Sequence, residues 1–476
     1  MGGNTKPPRD RFRYVLGCDN LHVEMFRIIE TAERLVYLVA FDFEPCFENR
    51  RLITVLRNVL EGKKQLRVIL STSGLCRNKY DNTPLYELQQ QFPERLSLYL
   101  DYDPFSEHKD WDLFGSVVRK YSGTHRRFVC NETEMLLHGG NFGRRYCGSI
   151  SDNCRTGHDF AWIEGGLRFD LKTVMSPQAV QTTVERILGS DISNSGVIDD
   201  TSGGTTGGTA QIRHPPIPFE FPFLQTGQDH YHYILYRITN SKRSIYIESQ
   251  YFFSSSHTSQ NRIWKALGDR VVRAINERSE FQFCLVTNLI NLDEELLMGF
   301  FQHQNTMYSL HRLVHYIQSK TKISTKAMSK YFVVRTSTVD AKLLFHSKIF
   351  SFDDSDMLYT SANIYDASFH RLGQTELGIV IENNSSLVEQ IRNSIPPNLL
   401  ETVNLREFKH FRTRAPWFDK NIGTVSGLIY RWLHVWVFSF LPIHSNLDLR
   451  GFPNVYPNEC ISYKTLVETR PLFLGL

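Results

Sequence analysis

Apolar positions in this chain follow two alternating rhythms. Short runs rich in β-branched and aromatic residues, among them Leu35–Phe43, Leu66–Leu70, Leu96–Leu100, Ile245–Phe252, Phe281–Val286 and Tyr331–Val334, read as buried strands. Between them lie stretches with helical spacing: Arg50–Leu60, Pro84–Gln91, Arg262–Ile275 and Glu294–Gln318. Strands alternating with helices predict an α/β protein whose parallel strands are joined by crossover helices.

The alternation is written twice. Phe26–Phe43 lies beside Tyr236–Phe253 without a gap, at an offset of 210, and each reads as a helix end, a charged turn and a strand. The later helices and strands keep nearly the same offset, which argues against chance similarity of two amphipathic segments. Between the halves, Gly189–Gly208 has almost no apolar content and reads as a flexible linker, with Pro215, Pro216 and Pro218 leading into the second half. The expected division is a first lobe at 11–188, a linker at 189–218, a second lobe at 219–411 and an aromatic tail at 412–476.

Composition changes this picture little. The 476 residues are 41% hydrophobic and 22% charged, and 54 basic against 50 acidic residues leave a formal charge of +4. That is ordinary for a globular protein and lacks the basic excess of most nucleic-acid binders. None of the 8 cysteines forms a CxxC pair, and no metal-ligand spacing is visible, so no metal or cofactor is expected. Scattered cysteines read as buried or free thiols in a reducing compartment, and the first residues carry no apolar secretory segment. Lys6 stands where a myristoylation signal has Ser or Thr.

Candidate chemistry is concentrated in two matching motifs. His346-Ser-Lys348-Ile-Phe-Ser-Phe-Asp353 places an imidazole and an ammonium two apart, on one face of a strand. Asp353 opens a polar turn, and the returning strand brings Ser361 and Asn363 back toward the pair, where hydroxyl and amide suit phosphate oxygens. The first half has His125-Arg-Arg127-Phe-Val-Cys-Asn-Glu132, then Gly139-Gly-Asn141. The two histidines are offset by 221 and the two asparagines by 222. Asp159, in Gly157-His-Asp159, and Glu376, in Gln374-Thr-Glu376, follow the motifs at an offset of 217. A carboxylate on one ring nitrogen fixes a histidine's tautomer and leaves the other nitrogen to react.

This ordered set, across residues 26–385, resembles the phospholipase D superfamily, most closely its phospholipase D and cardiolipin synthase branch. The resemblance implies two pseudo-twofold-related α/β lobes with mixed, largely parallel sheets and the active site between them. It implies that His125 attacks phosphorus, forming a phosphohistidine, while His346 protonates the leaving oxygen and then activates water or an alcohol. Lys348, Asp353, Asp159 and Glu376 complete the catalytic set it implies, and Arg127, Lys348, Asn141, Asn363 and Ser361 bind the phosphoryl group. The first motif departs from the pattern: Arg127 replaces lysine, and Glu132, expected to support the turn, is one methylene longer than aspartate. The expected substrate is a phospholipid, met as a peripheral protein at a cytoplasmic membrane face. The alternatives are a nuclease of the same superfamily and a membrane or envelope protein with a weakened site.

The tail segment Gly427–Pro442 has a hydrophobic run interrupted by Arg431 and His434. It reads as an interfacial helix or as a helix packed on the core, with a membrane-spanning helix the third alternative.

Overall fold

The computed structural model describes residues 11–40, 47–73, 83–102, 125–140, 161–189, 222–252, 262–289, 296–338, 343–369 and 376–409. The linker beyond Gly189, the tail beyond residue 409, Asn141 and Asp159 lie outside the described residues.

In chain order the first half carries β1 (Phe12–Leu16), α1 (Cys18–Thr31), β2 (Leu35–Ala40), α2 (Phe47–Gly62), β3 (Arg67–Ser73), α3 (Thr83–Gln91) and β4 (Leu96–Tyr102). It continues with β5 (Phe128–Asn131), β6 (Glu134–His138), β7 (Ala161–Ile163), β8 (Gly165–Asp170) and α4 (Pro177–Gly189). The second half carries β9 (Phe223–Leu224), α5 (Gly227–Asn240), β10 (Ser244–Glu248), α6 (Ile263–Glu277), β11 (Gln282–Val286) and α7 (Leu296–Thr321). There follow β12 (Phe332–Ser337), β13 (Leu343–Phe345), β14 (Ile349–Phe352), β15 (Asp356–Thr360), β16 (Gly378–Ile381), α8 (Ser385–Arg392) and β17 (Leu400–Thr402). The expected helices and strands up to β4, and from α5 to β12, are all present within a few residues. At the start of α5, Thr226 and Asp229 form a reciprocal capping box that sets where the helix begins.

The first sheet runs β1-β8-β6-β5-β2-β3-β4 and the second β9-β16-β15-β14-β10-β11-β12-β17. Strand for strand the two follow one order, with β17 added to the second. Both sheets are mixed, as expected, but the parallel share is smaller than the helix–strand alternation suggested. Only β2-β3-β4 and β10-β11-β12 run parallel. The other pairings within each sheet are antiparallel, because the motif-bearing strands connect by hairpins, which reverse the chain.

Side-chain alternation divides the core into three layers. In β5, Val129 packs among α1, α2 and α3, whereas Phe128 and Cys130 face the other lobe. In β14 and β15, Phe350 and Leu358 face the helices of the second lobe, whereas Ile349, Met357 and Tyr359 face the first. Both sheets are therefore covered on both faces, which is why their strands read as nearly unbroken apolar runs. The central layer joins the lobes through apolar side chains from both sheets, together with α4 and α8. Two polar seams add to it: β7 pairs parallel with β13, and Tyr359 Oη donates to Gly165 O at 2.6 Å.

Candidate active site

Both motif histidines sit just outside the regular strands. His125 to Arg127 lead into β5, and His346 to Lys348 form the junction between β13 and β14. The spacing predicts His346 and Lys348 on a strand, but only the ends of the junction are hydrogen-bonded to neighbouring backbone. His346 N donates to Ile163 O at 3.0 Å, across the lobe seam. Lys348 O accepts from Thr360 N at 3.1 Å, as Arg127 O accepts from His138 N at 3.1 Å. Each motif is thus held at the end of its hairpin, and the two histidines converge from opposite lobes.

Each histidine meets a carboxylate of the opposite half. His125 Nδ1 lies 3.0 Å from Glu376 Oε2, and His346 Nδ1 lies 2.5 Å from Glu164 Oε1. The two carboxylates differ in their surroundings. Burial pushes Glu376 upward, but the His125 ring and the hydroxyls of Ser361 and Ser368 outweigh it and hold the carboxyl below its ordinary range. Ser361 Oγ donates to Glu376 Oε2 at 2.5 Å. At Glu164 burial prevails over the attraction of Lys348 and Arg127, pushing the carboxyl up to about 8. Burial also lowers His125 to about 4, with Arg127 and Lys348 adding to it and Glu376 opposing. His346 is held well below the ordinary imidazole value by burial, Lys348 and Arg127.

Two cations stand inside this frame. The guanidinium of Arg127 donates from Nη2 to His125 Nε2 at 3.0 Å and from Nη1 to Gly139 O at 2.6 Å, and Nη1 comes within 3.5 Å of His346 Nδ1. Lys348 Nζ donates to His346 O and, at 3.3 Å, to Gln250 Oε1. Burial and the neighbouring Arg127 hold its ammonium well below the ordinary lysine value. Among the described residues no cluster of metal-ligating side chains occurs.

No protein-family model matches the chain. The chain is 27% identical over 165 residues to a phospholipase D of Phytophthora infestans, covering 31% of this chain and 9% of that protein. It is 26% identical over 255 residues to phospholipase D zeta 1 of Arabidopsis thaliana, covering 45% of this chain and 23% of that protein. The matches thus span less than a quarter of the length of either relative. A phosphatidylserine synthase from Haemophilus influenzae Rd KW20 superposes with a TM-score of 0.60 over 90% of this chain and 95% of its own, at 10% identity. This low-identity likeness to phospholipases D, together with the shared fold, supports membership of the phospholipase D superfamily.

The expected site residues separate into those that converge and those that do not. His125, His346, Arg127, Lys348 and Glu376 come together. Asn363 is buried just beyond β15, its backbone N donating to Ser368 Oγ at 3.2 Å. Ser361 is corrected: its hydroxyl holds Glu376 and accepts from Leu377 N at 2.9 Å, so it orients the carboxylate instead of facing a phosphate. Asp353 is corrected from a catalytic to a turn-bracing residue, at the far end of β14 from His346. Its Oδ1 accepts from the backbone amides of Lys242 at 2.8 Å, Arg243 at 2.7 Å and Ser244 at 3.3 Å. Glu132 does the same in the first lobe, accepting from Glu33 N at 2.8 Å, Arg34 N at 3.4 Å and Leu35 N at 3.2 Å. The extra methylene therefore mispacks nothing, because both of its oxygens share the work that one oxygen of Asp353 does.

Glu164 and Gln250 also stand at the site, though neither belongs to the motif spacing. Glu164 stands immediately before β8 as Glu376 stands just before β16, so alignment by strand starts would have found it. Gln250 follows β10, at the carboxyl end of a parallel strand, where α/β sheets place ligands.

Proposed function

We propose that this chain is a phosphodiesterase or phosphatidyltransferase acting on phospholipids, with His125 as nucleophile and His346 as acid and base. The observation that carries the reading is the unequal pair of carboxylates behind the two histidines. An ionised Glu376 accepts the Nδ1 proton of His125, which leaves a lone pair on Nε2. A Glu164 that keeps its proton to higher pH lies 2.5 Å from His346 Nδ1 and can give that proton to it, which leaves the ring's own proton on Nε2. One ring is thereby prepared to attack and the other to protonate.

In the first step His125 Nε2 forms a bond to phosphorus as the bond to the leaving oxygen breaks. His346 Nε2 gives its proton to that oxygen while its Nδ1 takes the proton of Glu164. His346 now carries its proton on Nδ1, the tautomer of a base. It removes a proton from water or an alcohol, whose oxygen attacks phosphorus and expels His125, and the proton at Nδ1 returns to Glu164. Lys348 and Arg127 neutralise charge on the phosphoryl oxygens, with Asn363 beside them. The names of the aligned relatives support a phosphatidyl substrate, and such a substrate places the protein at a bilayer surface.

Vesicles of phosphatidylcholine carrying labelled phosphatidyl groups test this. The expected result is release of the headgroup, with acid-labile label on His125 after rapid quenching. His125→Ala is expected to abolish label and turnover. His346→Ala is expected to slow turnover by about 10²–10⁴-fold, as loss of a general acid does. Label on His346 would reverse the roles. Cleavage of DNA or RNA without any of the lipid would overturn the substrate.

A further inference from the structure

The two motif cations occupy the same position relative to their histidines, yet they do different things. Lys348 turns away from its ring, donating to the His346 backbone carbonyl and to Gln250. Arg127 instead reaches its own motif's imidazole: Nη2 donates to His125 Nε2 at 3.0 Å, and Nη1 is anchored on Gly139 O at 2.6 Å. A guanidinium has donors and no acceptor, so this contact consumes the Nε2 lone pair. In the proposed reaction that lone pair attacks phosphorus. Arg127 is itself buried, so little water competes for the contact.

We propose that Arg127 is a displaceable cap on the nucleophile: in the resting site its guanidinium covers His125 Nε2, and the oxygens of an incoming phosphoryl group draw it off. Two phosphoryl oxygens match the two-pronged fork better than one neutral ring nitrogen does, since both bonds then join oppositely charged groups. Exposure of the nucleophile is then conditional on a phosphate-like ligand, and electrophiles without phosphoryl oxygens meet a covered ring. The lysine of the second motif, turned to backbone, shows why arginine is needed. The inference rests on His125 being the nucleophile, but its test needs no turnover.

The probe is diethyl pyrocarbonate, which acylates imidazole lone pairs, with modification of each histidine followed by mass spectrometry. His232, exposed on α5, serves as the internal reference. Arg127→Met fills the space without a donor, and Arg127→Lys keeps the charge without the fork. Loss of one charge-assisted hydrogen bond to the reacting atom is expected to raise the His125 rate about tenfold or more in both variants, with His232 unchanged. An unchanged rate in Arg127→Met would mean that burial alone protects the ring, and the cap falls. A rate raised in Arg127→Met but not in Arg127→Lys would mean that charge suffices, and it falls again. In ¹⁵N spectra of histidine-labelled protein, inorganic phosphate is expected to shift the His125 Nε2 resonance in the parent and much less in Arg127→Met; equal shifts would overturn displacement. A capped His125 in a chain that forms no phosphohistidine would sink the catalytic reading and leave the cap standing.

Discussion

Asp353 and Glu132 show how a motif residue acquires a task its spacing does not announce. Each accepts hydrogen bonds from three successive backbone amides in the turn that feeds the central strand of its lobe. Asp353 also adopts a left-handed backbone with φ of 54°, which aspartate tolerates better than most residues. Removing either side chain leaves three backbone amides, one of them partly buried, without their carboxylate acceptor. Asp353→Ala and Glu132→Ala are each expected to lower stability by about 1–3 kcal/mol in urea titrations. The turnover of the folded fraction should stay within about twofold, because neither carboxylate approaches the histidines. A loss of turnover at unchanged stability would return them to the catalytic set.

The hairpins β5-β6 and β14-β15 and the seam β7-β13 convert a repeated pattern into a site. Each hairpin presents its motif at one end, and the seam brings Glu164 against His346. Close approach at that seam depends on Gly139. A Cβ there would collide with Glu164 Oε2 and stand 3.3 Å from His346 O, so the carboxylate would have to move. Gly139→Ala is therefore expected to lower kcat by about 10²-fold, the scale of an ångström-sized misplacement of a reacting group. KM should change less, since Lys348 and Asn363 stay in place. Retained kcat in a folded variant would show that Glu164 does not position His346.

Across the whole molecule, burying the site between two sheets sets opposing demands on pH. His22, His125 and His138 are lowered to about 4, 4 and 3, each chiefly by burial. Between those values and the ordinary 6.5 the unfolded chain binds more protons, so acidification through that window removes stability. Glu164 and Glu248 are raised to about 8 and about 7, again chiefly by burial. Between the ordinary carboxyl value and these the native state holds more protons, so stability is lost as pH rises through 7 to 8. Glu248, fully buried with Tyr246 Oη donating to it at 3.2 Å, tests this outside the two histidine–carboxylate pairs. Relative to the parent, Glu248→Gln should gain on the order of 1–3 kcal/mol between pH ~5 and pH ~8, read by urea denaturation at both. A stability difference that is flat with pH would mean that Glu248 stays ionised in the fold.

The apolar rhythm by itself determined the alternation of helices and strands, and the doubled pattern pointed to two similar lobes. Both are carried by local periodicity, in which burial on both faces of a sheet writes unbroken apolar runs. The motif spacing likewise determined that His125, Arg127, His346 and Lys348 belong together, since residues two apart in extended chain share a side. Only the tertiary structure decided which carboxylate serves which ring. His125 and Glu376 are 251 positions apart, and no periodicity links residues that meet across two lobes. The same is true of Arg127, which fits a phosphate-binding place by residue type, whereas the enclosed site turns its fork onto His125. Asp353 completes the contrast: its position in the motif is local, but its partners come from the turn before β10, which only the folded sheet brings alongside.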